Sequence, residues 1–186
     1  MAQFSFLAAL PVALAIAAAP AAHATTQVVS FNVLNAAVTL PTPFLAGDAL
    51  RMDTLVTTQT GPLNQSITFS LAAGIGSLTG QAAWEIDTAG GTGPRLTGVN
   101  IDIFDSNNNL VTSDTFAGTL AGFALSTFAG AIGPGTYKMV ATGTGVRASS
   151  LDVTLEFVAA VPEPGSYALM LAGLGAVILL ARRRSV

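Results

Sequence analysis

Apolar and polar residues alternate along much of the chain with the two-residue period of a β-strand that buries one face. In Leu151–Phe157 the apolar side chains occupy every second position, and Asp152, Thr154 and Glu156 occupy the positions between. Similar short runs recur between Gly, Pro, Asn or Ser residues: Val28–Val33, Ala49–Thr57, Ser66–Leu71, Ala82–Asp87, Val99–Ile103, Leu110–Phe116, Phe123–Phe128 and Tyr137–Thr142. The pattern predicts an all-β fold, an antiparallel β-sandwich of roughly seven to nine strands.

The amino-terminal residues interrupt this pattern with a continuous apolar run, Phe4–Ala22. The run ends in Ala22-His23-Ala24, the small-x-small ending of a secretory signal peptide that is cleaved after Ala24. No Lys or Arg precedes it, so either the protein starts at a different residue or the amino terminus supplies the only positive charge. We expect a signal helix in residues 1–24 and a mature chain that begins at Thr25.

A second apolar run, Tyr167–Ala181, lies near the carboxyl end and is followed by Arg182, Arg183 and Arg184. As a helix with ~1.5 Å per residue it would be about 22 Å long, which is shorter than the ~30 Å hydrocarbon core of a bilayer. The sequence predicts a C-terminal hydrophobic helix that could barely span. In that case the arginines would lie on the cytoplasmic side and the body outside.

The last residues, 161–186, resemble the PEP-CTERM sorting signal of secreted proteins from exopolysaccharide-producing Gram-negative bacteria. The resemblance rests on Pro162, Glu163 and Pro164, on the apolar run, and on the three closing arginines. It implies that an exosortase, a membrane-embedded processing enzyme, recognises and removes the tail. The inner membrane would then be a transient anchor, and the protein would reach the cell surface or the extracellular matrix.

The body, residues 25–160, is weakly similar to the FxDxF family of PEP-CTERM proteins. The similarity lies in a Gly-Thr-Tyr strand at Gly135–Tyr137 that precedes the last strand and the tail, although Ile67–Leu71 stands where the naming motif is expected. The family implies no activity. The chain is therefore divided into a signal peptide at 1–24, one β-sandwich body at 25–160 and a sorting signal at 161–186.

Composition excludes several kinds of chemistry. Residues 25–161 carry nine acidic and four basic side chains, a net charge of −5. Without a basic stripe, nucleic acid is not an expected partner. Cysteine is absent, and the only histidine, His23, lies at the predicted cleavage site. The mature chain therefore has no thiol nucleophile, no His-assisted hydroxyl and no Cys/His zinc site, and we expect neither enzymatic activity nor a cofactor.

Asp105, Asn107 and Asn109 have the alternate spacing of oxygen ligands in a calcium loop. An EF-hand also requires Gly at the sixth position and Glu at the twelfth, where this chain has Leu110 and Phe116. The segment lies between two predicted strands, so a solvated hairpin tip is the favoured interpretation and a calcium site is the alternative.

Trp84 is the only tryptophan, and two roles are open for it. It could lie in the core, or it could be an exposed platform that stacks on a sugar ring, with Gln81 and Glu85 donating to or accepting from hydroxyl groups. Glu85 and Asp87 share one strand face and are a conceivable pair of glycosidase carboxylates. Carboxylates on an exposed strand face are common, so this pair is the weaker hypothesis.

The two ends and the missing Cys and His together predict an exported, non-enzymatic protein with a structural or adhesive role at the cell surface or in the matrix. Its expected partners are the exosortase and exopolysaccharide. Three alternatives remain: a carbohydrate-active enzyme that uses acidic residues, a calcium-stabilised module, and an ice-binding module built on the abundant threonines.

Overall fold

The computed structural model describes residues 24–56, 59–86, 95–161, 169–175 and 177. Within these ranges the chain forms eleven β-strands, and residues 169–175 and 177 are helical. The strands are β1 (Thr26–Phe31), β2 (Asn35–Thr39), β3 (Ala49–Val56), β4 (Gly61–Leu71), β5 (Ile75–Glu85), β6 (Leu96–Asp105), β7 (Leu110–Ser113), β8 (Thr115–Leu120), β9 (Phe123–Ala131), β10 (Gly135–Gly145) and β11 (Ser149–Ala159).

The strands form two sheets. Sheet A has the order β1-β3-β11-β5-β9-β8, and sheet B has the order β2-β4-β10-β6-β7. Most neighbours are antiparallel, but β1 runs parallel to β3 and β2 runs parallel to β4. The predicted all-β class is confirmed. The two sheets are mixed and sandwich-like, so the prediction of a purely antiparallel arrangement was wrong.

The inward faces of the two sheets share one hydrophobic core. Phe69 on β4 of sheet B and Phe157 on β11 of sheet A have ring centroids 5.6 Å apart. Phe44, from the segment before β3, lies 4.8 Å from Phe157 and 6.1 Å from Phe69, centroid to centroid. All three rings are buried, and each large apolar side chain taken from water contributes about 1.5–3 kcal/mol.

The structure has more strands than the roughly seven to nine that the sequence predicts, for two reasons. The predicted run Leu110–Phe116 is two strands, β7 in sheet B and β8 in sheet A, separated at Asp114. The Asp114 amide donates to the carbonyl of Ile101, and its Oδ1 accepts from the Ile101 amide at 2.8 Å, so this residue completes the pairing where the chain changes sheets. The other added strand is β2, whose two alanines give only a weak strand signal.

The two predicted terminal helices have different outcomes. The predicted signal helix, residues 1–24, lies outside the described residues except for Ala24, which is not helical. Of the predicted C-terminal hydrophobic helix, residues 169–175 form a helical stretch that is about 10 Å long at ~1.5 Å per residue. In the described part of the chain, no helix combines the length and the hydropathy needed to cross a bilayer. The predicted hydrophobic helix over Tyr167–Ala181 is therefore corrected to this short helical stretch within the described residues.

Candidate functional site

Polar side chains line the outward face of three neighbouring strands in sheet A. Thr154 on β11 lies opposite Gln81 on β5, and Gln81 lies opposite Thr127 on β9. Glu156 lies opposite Thr79 in the same way. Because directly paired residues point to the same side of a sheet, all five side chains share one surface. We call these residues, Thr79, Gln81, Thr127, Thr154 and Glu156, the polar face.

The polar face contains a shallow depression of about 280 Å³, lined by its five residues and Gly80. A second depression of about 360 Å³ adjoins it and shares Gln81, Thr127 and Thr154. Small and apolar residues, including Ala83 and Leu125, form part of its lining. Both depressions are open to solvent, whereas small-molecule sites usually bury most of the ligand's surface, so the depressions suit an extended polar ligand better than a buried one.

An acidic pair flanks the polar face. Asp53 on β3 lies opposite Asp152 on β11, and Asp152 also lines the second depression. The Nε of Arg51 donates to Oδ1 of Asp53 at 2.6 Å, and its Nη2 lies 4.0 Å from Oδ1 of Asp152. Partial burial, a hydrogen bond with Asp53 and the charge of Asp53 raise the pKa of Asp152 above its usual value. The carboxyl group of Asp152 therefore stays protonated to a higher pH than that of an isolated aspartate.

Trp84 is buried, with only 6% of its surface exposed, and belongs to the core. It lies on the inward side of β5 with Leu78 and Ala82, whereas Gln81 points outward, because successive residues of a strand face opposite ways. The interpretation of Trp84 as a sugar platform was therefore wrong. One exposed aromatic ring next to this surface is that of Phe123 on β9, which is 39% exposed and lies opposite Glu85.

The proposed carboxylate pair is only half described. Oε1 of Glu85 lies 3.2 Å from Nε of Arg95, which forms an ion pair, and Nη1 of Arg95 donates to the Ala148 carbonyl at 2.7 Å. Asp87 lies outside the described residues. Glu85 is thus engaged with a cation, and its pairing with Asp87 stays a prediction.

The Asp105 segment is the tip of the β6–β7 hairpin, as the sequence predicts. Oδ1 of Asp105 accepts from the amides of Asn107 and Asn109, both at 2.8 Å, and Oδ2 accepts from the Asn109 side chain at 2.9 Å. The side-chain hydrogen bond from Asn109, followed by the backbone ones, lowers the pKa of Asp105. The carboxylate therefore closes the turn, and the calcium site stays a prediction.

The residues of the two end signals lie mostly beyond the described ranges, which exclude Ala22, Pro162, Glu163, Pro164 and Arg182–Arg184. The described chain begins at Ala24, which is exposed. After β11, the amide of Ala160 donates to the Gly74 carbonyl at 2.8 Å, and Val161 is 83% exposed. Backbone hydrogen bonding therefore holds the chain up to Ala160, two residues before Pro162.

A family comparison matches the PEP-CTERM protein-sorting motif to residues 160–184. The chain carries a PEP-CTERM sorting motif. A motif of this kind marks a protein for export, for processing by an exosortase, and for transient residence at the membrane on the way to the cell surface. The PEP-CTERM motif follows β11 directly, so the strand that contributes Thr154 and Glu156 to the polar face also leads into the sorting signal.

No curated protein sequence matches the chain. Among solved structures, the pre-peptidase C-terminal domain of a collagenase from Bacillus anthracis is similar to it at 8% sequence identity and a TM-score of 0.36. The similarity covers 70% of this chain and 94% of that domain. A similarity of this size carries no information about function.

Proposed function

We propose that the body is a non-catalytic adhesive module that holds the exported protein in the matrix by binding exopolysaccharide on the polar face. One observation supports the proposal above the others: three strands place hydroxyl, amide and carboxylate groups side by side in an open depression. These groups can both donate to and accept from sugar hydroxyls. An open surface also allows a long polymer to enter and leave without threading.

Phe123 extends this proposed surface toward one end of β9. It shares the outward side of that strand with Leu125 and Thr127, and it stands four positions before Thr127. At ~3.4 Å per residue, the ring lies about 14 Å along the strand from the Thr127 position. Stacking of a sugar ring on an aromatic side chain would supply apolar contact that Trp84, being buried, does not provide.

Binding can be measured by affinity electrophoresis in gels that contain exopolysaccharide purified from the producing bacterium. A double variant, Gln81→Ala with Thr127→Ala, should weaken binding about tenfold, since two neutral hydrogen bonds contribute about 1–3 kcal/mol together. The matched control is Asn64→Ala, which removes an exposed amide from β4 of sheet B. Equal losses in both variants, or no retardation of the wild-type protein, would contradict the proposal.

We further propose that the exosortase cleaves the chain near Pro162–Pro164. Intact-mass measurement of the protein from the medium and from the membranes of its host tests this directly. If the protein recovered from the medium has the mass of a chain that ends near these residues, cleavage is supported. If the protein in both fractions has the mass of a chain that ends at Val186, the tail is permanent.

The enzymatic alternative is tested with the same polysaccharide. Glu85 forms an ion pair with Arg95, so its carboxylate is engaged by a cation and is not free to approach a glycosidic oxygen. We therefore expect no release of reducing ends during incubation with the wild-type protein. Release that disappears in a folded Glu85→Gln variant would overturn the non-catalytic proposal.

A further inference from the structure

Asp48 is a buried carboxylate at the start of β3, with 4% of its surface exposed. Its Oδ1 accepts hydrogen bonds from the backbone nitrogen and the hydroxyl of Thr25, both at 2.8 Å. Its Oδ2 accepts from the Leu45 amide at 2.7 Å. In the described ranges Asp48 forms no ion pair with a Lys or Arg side chain. A buried carboxylate without a cationic partner is costly, so the identity of its donors matters.

The first donor is the nitrogen of the residue that follows the predicted signal cleavage site. When cleavage occurs after Ala24, this nitrogen changes from an amide to an α-ammonium group while its covalent bond to Thr25 is unchanged. The Thr25 carbonyl also accepts from the Ala49 amide at 2.8 Å, so the residue is held on both sides of its Cα. The new positive charge therefore arises in direct contact with the Asp48 carboxylate.

We propose that Asp48 is the binding site for the mature amino terminus, and that signal-peptide removal completes a buried ion pair between the Thr25 α-ammonium group and Asp48. The ion pair would hold β1 and the Phe44–Asp48 segment against the sheet. That segment is tied to β11 as well, because Gly47 donates to the Phe157 carbonyl and Phe157 donates to the Asp48 carbonyl. The inference rests on cleavage after Ala24 and is independent of polysaccharide binding.

The surroundings of Asp48 are suited to a cation. Burial acts to raise the pKa of Asp48, but the hydrogen bonds from Leu45 and Thr25 outweigh it and hold this pKa below its usual value, so the group is charged at neutral pH. Strand β1 and residues 40–47 contain no titratable side chain. The charged groups on the neighbouring strands are Arg51 and Asp53 of β3 and Asp152 and Glu156 of β11. Among all of these, Asp48 is the group that contacts Thr25.

The pH dependence has a definite sign. An α-amino group titrates near 7.7–8.0 when free, and a carboxylate partner raises its pKa in the folded protein. The stabilisation is therefore fully present below about pH 7.7 and is lost as the pH rises through the folded-state value. A chain that begins before Thr25 has no amino group in contact with Asp48, so it should lack this pH-dependent stabilisation.

The test compares two chains that share every other titratable group, one from Thr25 to Val186 and one from Ala22 to Val186 with His23→Ala, each also as Asp48→Asn. At pH 6 the chain that begins at Thr25 should melt roughly 3 °C or more above the other. This difference should vanish at pH 10 and in the Asp48→Asn pair. Equal melting temperatures at pH 6, or a difference that persists at pH 10, would overturn the proposal even if Asp48→Asn does not fold.

Amine labelling gives a second readout, since Lys138 is the only lysine and serves as an internal reference. A rise of one unit in the pKa of the Thr25 amino group lowers the reactive fraction about tenfold. Relative to Lys138, the amino group of the Thr25 chain should therefore react more slowly than that of the Ala22 chain. Equal labelling, or a native protein whose mass shows a first residue other than Thr25, would refute the assignment.

Discussion

Gly80 lies on β5 in the middle of sheet A, at a point where an added methyl group has no room. A Cβ atom there would overlap the Thr154 carbonyl oxygen and would lie 2.8 Å from Cδ2 of Leu155 and 3.2 Å from its Cα. The Leu155 side chain can turn away in part, but the other two contacts are with the backbone of β11. Gly80→Ala therefore requires β5 and β11 to separate locally.

The expected cost follows from three contributions. Overpacking of a close-packed core costs about 1–3 kcal/mol, and weakening one ladder hydrogen bond adds about 1 kcal/mol. The alanine also reduces the conformational entropy of the unfolded chain, which stabilises the variant by about 0.4–1 kcal/mol. The free energy of unfolding should therefore fall by about 1–3 kcal/mol. With a urea m-value of ~2 kcal/mol/M, the midpoint should move by about 1 M.

Urea denaturation followed by tryptophan fluorescence measures this shift, because Trp84 lies in the core. Gly133→Ala is the matched control, since an added Cβ there meets no atom within 4 Å and the backbone is not left-handed. Its effect should stay within about 0.5 kcal/mol. Equal midpoints for the two variants would refute the close spacing of β5 and β11. They would also refute the register that places Thr154 beside Gln81 on the polar face.

Three further changes have expected outcomes. Gln65→Leu should cost about 2 kcal/mol or more in urea denaturation, because it removes the partner of the buried Thr54 hydroxyl and of a backbone carbonyl. Asp152→Asn should raise the melting temperature slightly at pH 7 and have little effect at pH 3. Because the pKa of Asp152 is raised in the folded protein, the wild-type protein loses stability relative to the variant as the pH rises above about 4. The effect should be small, since exposed charges contribute only a fraction of a kcal/mol. Asp105→Ala should lower the melting temperature equally with and without millimolar calcium, because the carboxylate closes a turn; a calcium-dependent shift in the wild-type protein alone would favour the calcium-site hypothesis.

The strand pattern predicts much of the fold because alternation is a local property. In β11 the residues Leu151, Val153, Leu155 and Phe157 are buried, and the charged residues between them are exposed, as their spacing indicates. The same rule applied to Ala82–Asp87 places Trp84 on the side of Ala82 and Ile86, away from Glu85. The core position of Trp84 was therefore available from the sequence, and the platform hypothesis went against that pattern.

The partners of each strand were not available from the sequence. Alternation does not indicate that β11 lies between β3 and β5, or that β1 and β2 add parallel strands at one edge of each sheet. The polar face depends on these pairings, because Thr154, Gln81 and Thr127 come from three strands far apart in the chain. For the same reason the contact between Thr25 and Asp48 has no local signal, although both residues are polar and flank predicted strands.

The last strand, β11, contributes to both the hydrophobic core and the polar face. On its inward side β11 contributes Phe157 to the core, and on its outward side it contributes Thr154 and Glu156 to the polar face. It pairs with β3 on one edge and β5 on the other, so sheet A cannot be completed before this strand is in place. Every buried apolar side chain of the described residues lies at or before Phe157. Cleavage near Pro162 would therefore remove none of these core side chains, and a body that folds while tethered would keep its polar face after release.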